Sequence, residues 1–149
     1  MDNVLVTGGA GYIGSHACKL LSQHGYSPVA FDNLTTGWAD AVKFGPLVQA
    51  DLLDRTALDA VFQKYKPIAV MHFAARSEVG EATHRPACYW RTNVVGSLNL
   101  VEAMIKADCK CMVFSSTCAT YAALDGVALD ENSLQMPLNA YGASKRTVE

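Results

Sequence analysis

Val4-Leu5-Val6-Thr7-Gly8-Gly9-Ala10-Gly11-Tyr12-Ile13-Gly14 is an apolar run that ends in a cluster of glycines and passes at once into a helix-compatible segment. Two spacings are satisfied together, Gly9-x-Gly11-x-x-Gly14 and Gly8-x-x-Gly11-x-x-Gly14. A strand, a tight turn and a helix in this order open a dinucleotide-binding βαβ unit. Glycine suits such a turn because it tolerates positive φ. It also lets the backbone approach a pyrophosphate and the helix pack close to the strand. The helix start then offers free N–H groups and the positive end of its dipole to the phosphates. Glycine turns are common, so the motif takes its meaning from what surrounds it.

Downstream, Tyr12 to His24 reads as the first helix, with Ile13, Ala17, Leu20 and Leu21 on one face and Gly25 as its C-terminal glycine. Ser27 to Phe31 reads as the second strand and runs into Asp32, 18 residues past Gly14. An acid there accepts hydrogen bonds from the adenosine ribose hydroxyls and repels a 2′-phosphate, so NAD is expected rather than NADP. A loop through Thr35-Thr36-Gly37 follows, with a short helix expected around Ala39 to Lys43. Leu47 to Ala50 reads as the third strand. Asp51 after it is placed to meet an adenine edge or to cap the next helix, a role that Asp54 fits better. Arg55 to Tyr65 is expected to be a helix with Leu58, Val61, Phe62 and Tyr65 inward, and Ile68 to His72 the fourth strand. The small residues of Phe73-Ala74-Ala75 let the backbone pass close to a cofactor.

Arg76 to His84 reads as a charged loop, after which Pro86 opens a long helix to about Ala107. Its inner face is expected to carry Tyr89, Val94, Leu98, Val101 and Ile105. Asn93 in its interior reads either as a solvated surface residue or as the lining of a cofactor cleft. Cys111 to Phe114 is the fifth strand and ends in Ser115-Ser116-Thr117. A variable loop with Asp125-Gly126 comes next, and Pro137 and Asn139 lead into Tyr141-Gly142-Ala143-Ser144-Lys145. The alternation predicts an α/β protein, a Rossmann-type doubly wound parallel sheet in the order 3-2-1-4-5. Its short, continuously apolar strands suit a sheet covered on both faces.

The 149 residues are enough for one domain with a real core; half are apolar and 17% charged, the balance of a globular chain. A net charge of −2 without a basic block gives no reason to expect nucleic acid or an anionic membrane. No run of 18 apolar residues marks a membrane span, and the N-terminus enters a strand without a signal-peptide pattern, so a cytoplasmic location is expected. The five cysteines, Cys18, Cys88, Cys109, Cys111 and Cys118, are odd in number and irregular in spacing, which reads as reduced thiols. Neither they nor His16, His24, His72 and His84 show metal-ligand spacing, so no metal is expected.

Tyr141 and Lys145 lie four residues apart, hence on one face of a helix. A tyrosine near its ordinary pKa of about 10 is a poor base at neutral pH, and a neighbouring ammonium stabilises its phenolate. Such a pair can move a proton to or from an alcohol while hydride passes to or from nicotinamide. Thr117, at the end of the fifth strand, can hydrogen-bond the reacting oxygen or relay its proton.

Taken together, Thr7 to His16, Asp32-Asn33-Leu34, His72 to Ala75, Val79-Gly80-Glu81, Asn93-Val94, Phe114 to Thr117 and Tyr141-Gly142-x-x-Lys145 resemble the extended short-chain dehydrogenase/reductases, the NAD-dependent epimerase/dehydratase family. Within it they are most similar to the branch that interconverts UDP-glucose and UDP-galactose at C4. The resemblance implies tightly held NAD, a 4-keto sugar intermediate and Thr117, Tyr141 and Lys145 as catalytic residues. It implies cofactor contacts at Gly8, Gly11, Tyr12, Ile13, Gly14, Asp32, Asn33, Asp51, Leu52, Phe73, Ala74, Ala75, Asn93, Ser115, Tyr141 and Lys145. It also implies a UDP-sugar substrate and a homodimer for the full-length enzyme. Related dehydratases and decarboxylases carry carboxylates after the strand-five Ser/Thr; Cys118 and Ala119 stand there instead, which favours epimerisation. Ser77 replaces a common lysine and Ala122 a common glycine, which leaves UDP-arabinose or another nucleotide sugar open. A dehydratase, a decarboxylase and a non-catalytic NAD-binding fragment are the other readings. The family continues beyond the helix of Tyr141, so residues 1–149 are expected to be an incomplete NAD-binding Rossmann domain that lacks the last strands and the substrate domain.

Overall fold

The computed structural model describes residues 1–122, 126 and 128–149; the loop expected at Asp125 lies outside the described residues. The chain forms two compact units, Met1–Ala74 with Leu98–Ser115, and Ala75–Ser97 with Ser116–Glu149.

The first unit holds the sheet. Strands β1 (Asn3–Thr7), β2 (Ser27–Asp32), β3 (Leu47–Gln49), β4 (Ala69–His72) and β5 (Cys111–Phe114) are parallel in the order β3-β2-β1-β4-β5, as the alternation predicted. Side chains alternate across the pleat. Leu5, Val29, Phe31 and Val70 enter one core with Leu58, Val61 and Phe62 of α2 (Arg55–Tyr65) and Leu100, Ala103 and Met104 of α5 (Gly96–Lys106). Val4, Val6 and Ala30 enter the other with Cys18 and Leu21 of α1 (Tyr12–Gln23). Both faces of the sheet are thus covered, and the strands read as unbroken apolar runs for that reason. Asp54 caps α2 by accepting from the Ala57 N–H at 3.0 Å. Gly25, at φ +84°, follows the last turn of α1 as expected.

Two helix faces differ from the sequence reading. In α1 the inward residues are Gly14, Cys18 and Leu21, whereas Ile13 and Leu20 stand exposed. Gly14 must face the turn, and that contact sets the rotation of the helix. In the long helix the buried positions include Tyr89, Asn93, Ser97, Asn99, Leu100, Ala103 and Met104, while Leu98 and Ile105 are exposed. The inward face carries hydrogen-bonded polar residues that an apolar pattern passes over. The helix is also not uniform. It runs through α4 (Pro86–Tyr89), a π-helical stretch at Trp90–Val95 and α5.

The second unit is built on α4, that π stretch and α6 (Ala140–Val148). The expected loop at Arg76 to His84 contains a six-residue helix, α3 (Val79–His84). Its Ala82 is buried, and its Glu81 accepts hydrogen bonds from Arg76, Arg85 and Tyr89. These bonds order a segment whose charges suggested a loop.

Candidate functional site

In the first unit, Thr7, Asp32, Asp51, Phe73, Ala74 and Ser115 all end or closely follow the strands at their carboxyl edge, and Ala75 opens the second unit. The order β3-β2-β1-β4-β5 reverses direction between β1 and β4, the place where open α/β sheets hold ligands. The glycine turn lies there. Gly8 takes φ +71°, and a Cβ on it would stand 2.7 Å from Ala74 N. A Cβ on Gly14 would stand 2.1 Å from Gly8 O, so the start of α1 is pressed onto the turn. The first turn of α1 has no side-chain cap and no acid, with Tyr12 and Ile13 exposed beside it. Its unshared N–H groups and dipole suit a diphosphate.

Asp32, 8% exposed, holds this turn from β2: its carboxylate accepts from Ala10 N at 3.0 Å and from Leu34 N at 2.8 Å. Asn33 and Asp51 come together, Asn33 Nδ2 donating to Asp51 Oδ2 at 2.7 Å, while Asp51 Oδ1 accepts from Leu53 N. Leu52 is a core residue, so its main chain is what it can offer a ligand. Thr7 Oγ1 shares a 2.6 Å hydrogen bond with His72 Nδ1, pinning β1 to β4 beside Phe73 and Ala74. Ser115 N donates to His72 O, which carries the same tie to the end of β5.

The three expected catalytic residues all fall in the second unit. Thr117 opens a 3-10 turn, Cys118–Thr120, its hydroxyl accepting from Ala119 N at 3.2 Å. Asn139 caps α6 by accepting from Gly142 N at 2.9 Å. A Cβ on Gly142 would lie 2.2 Å from Ala119 O, so the glycine seats α6 directly on the Thr117 turn. Tyr141 is half-buried, with its ring edge-on to Tyr89 at 6.4 Å between centroids. Lys145, one turn on, is 3% exposed. Burial lowers its pKa from 10.5 to about 8, partly opposed by the negative charge of Glu149.

Asn93 is buried, not solvated. Its Oδ1 accepts from Arg76 N at 2.8 Å, and its Nδ2 donates to Arg76 O at 3.1 Å and Ser144 Oγ at 2.9 Å. Both of its N–H bonds are therefore spent within the protein. Arg76, beside the exposed Ser77, directs its guanidinium to Glu81 at 3.1 Å. Ala122 is buried with its N–H donating to Leu134 O at 2.9 Å, so alanine is accommodated there. Sequence reading gave no role to Gly142, Ser144 or the Thr7–His72 pair. A glycine inside a short helix was the available signal for the first, because glycine is a poor helix former; side-chain pairings across the fold had none. Among the described residues no cluster of His, Cys, Asp or Glu could hold a metal, and no helix is long and apolar enough to cross a membrane.

A doubly wound sheet with a glycine turn, an acid ending β2 and a Tyr-x-x-x-Lys helix define a dinucleotide-binding protein of the short-chain dehydrogenase/reductase class. More narrowly, the chain belongs to the NAD dependent epimerase/dehydratase family, whose model matches residues 4–149. It is 49% identical over 144 residues to a UDP-glucose 4-epimerase of Rhizobium meliloti, covering 97% of this chain and 44% of that protein. It is 41% identical to a putative UDP-arabinose 4-epimerase of Arabidopsis thaliana, covering 100% of this chain and 36% of that one. The crystal structure of UDP-glucose 4-epimerase from Brucella ovis in complex with NAD superposes with a TM-score of 0.96 at 45% identity, over 99% of this chain and 46% of that one. The chain thus spans less than half the length of these relatives.

Proposed function

We propose that the protein carrying this chain epimerises a UDP-hexose at C4, interconverting UDP-glucose and UDP-galactose with tightly bound NAD. Residues 1–149 would supply its NAD-binding domain, incomplete here, and its proton-transfer residues. The observation that carries this reading is the seating of α6 on the Thr117 turn through Gly142, with Tyr141 and the buried Lys145 one turn apart.

NAD would be held by Gly8, Gly11, Tyr12, Ile13 and Gly14 at the uncapped start of α1, by Asp32 and Asn33 after β2, and by Asp51 and Leu52 after β3. Phe73, Ala74, Ala75, Asn93, Ser115, Tyr141 and Lys145 complete the set. When bound, its nicotinamide supplies the hydride acceptor and donor at C4. Tyr141 takes the proton of the sugar 4-hydroxyl and later returns it. The Lys145 ammonium stabilises the Tyr141 phenolate and holds the nicotinamide ribose. Thr117 donates a hydrogen bond to the reacting oxygen. A dehydratase needs a further acid–base pair, and the Cys118–Thr120 turn carries no carboxylate.

UDP-arabinose is the second reading, favoured by the 41% identity to the Arabidopsis relative. The reading extends to a cytoplasmic homodimer in galactose metabolism. Five thiols without a disulfide support a reducing compartment, and the exposed Leu98 and Ile105 on one helix support a second copy.

The test is product analysis of the gene product with NAD and, separately, UDP-galactose and UDP-arabinose. C4 epimers without loss of water, and a Tyr141→Phe variant that loses most of the rate, are expected. A dehydrated product or an unaffected Tyr141→Phe variant would overturn the reading.

A further inference from the structure

Ser144 is fully buried in the middle of α6, a place where alanine would make the better helix. Its hydroxyl does two things. It donates to Tyr141 O at 2.8 Å, one turn back. It also accepts from Asn93 Nδ2 at 2.9 Å. Asn93 in turn clasps the main chain of Arg76 on both sides, through Arg76 N at 2.8 Å and Arg76 O at 3.1 Å. Ser97 Oγ donates to Asn93 O at 2.5 Å, tying the asparagine's own main chain down within the π stretch. Every member of this chain is buried or half-buried, so none of the bonds is exchanged freely with water.

We infer that Ser144 is a positioning residue for Tyr141. Its bond to the Tyr141 carbonyl fixes the turn that separates the phenol from Lys145, because a serine bonding back along its own helix sets the local bend. Its bond from Asn93 then holds that turn against the Arg76 main chain. Proton transfer depends on sub-ångström placement of the phenol, so a loose turn costs rate even when the fold and the cofactor are retained. The inference rests on the catalytic role proposed above for Tyr141 and Lys145.

The experiment compares the full-length, NAD-loaded gene product with its Ser144→Ala and Ser144→Cys variants. Alanine removes the hydroxyl and leaves Asn93 Nδ2 without that partner; cysteine keeps the volume with a much weaker hydrogen bond. The expected result is a kcat lower by about tenfold, with KM for UDP-galactose and NAD content close to wild type. A merely structural serine would lower thermal stability and leave kcat unchanged at temperatures where the variants stay folded. Wild-type kcat in both variants would overturn the inference, as would loss of NAD, a raised KM with unchanged kcat, or failure of both to fold. Absence of epimerisation by the wild-type protein would instead sink the functional reading itself.

Discussion

Gly14 and Lys145 show how single residues carry opposite burdens. Gly14 tolerates no side chain, since a Cβ would meet Gly8 O at 2.1 Å. Both partners are backbone, so Gly14→Ala is expected to cost several kcal/mol and to lose bound NAD, readable as loss of cofactor on gel filtration. Burial works against the charge of Lys145. Burial lowers its pKa from 10.5 to about 8. Below pH 8 both folded and unfolded chains are protonated, and the cost of burying the ammonium is fully present. Between pH 8 and about 10.5 the unfolded chain binds the proton and the folded one does not, so stability rises with pH. Lys145→Met should therefore abolish turnover and yet stabilise the cofactor-free protein at pH 7 by up to about 3 kcal/mol. Thermal unfolding at pH 7 and pH 10 checks this; a gain that did not shrink at pH 10 would contradict it.

At the scale of elements, the join between α6 and the Thr117 turn sets where the three residues proposed as catalytic stand. A Gly142→Ala substitution improves helix propensity by about 1 kcal/mol. It also drives a Cβ to 2.2 Å from Ala119 O. The clash should win, lowering kcat by tenfold or more by shifting α6 off the Thr117 turn; unchanged kcat would show that the join is slack. Asn139→Ala, which removes the α6 cap, should cost about 1 kcal/mol in stability with a smaller loss of rate. The strands, their order and the motif positions were legible because both faces of the sheet are apolar and the special turns demand glycine, asparagine or acid. The helix faces were less legible. Gly14 rotates α1 so that Ile13 and Leu20 point outward, and Asn93, Ser97 and Ser144 occupy inward positions that an apolar count assigns to solvent. The order within Val79–His84 comes from charges meeting on Glu81, a tertiary effect that local composition does not contain.

For the whole molecule, the parallel sheet sets what the chain can do alone. Among the described residues β5 pairs with β4 on one side and with no strand on the other. Met112 and Val113 on it are 37% and 57% exposed. Such an edge offers unpaired backbone groups and apolar side chains to any other strand. Leu98 and Ile105 add an exposed apolar stripe on α5. The Rhizobium relative is more than twice as long, this chain covering 44% of it. The 149 residues expressed by themselves are therefore expected to associate through β5. Light scattering across a concentration series should show growing assemblies. Val113→Lys, which places a charge on the open edge, should reduce them. A 149-residue chain that stayed monodisperse at every concentration, or assemblies that Val113→Lys left unchanged, would refute this.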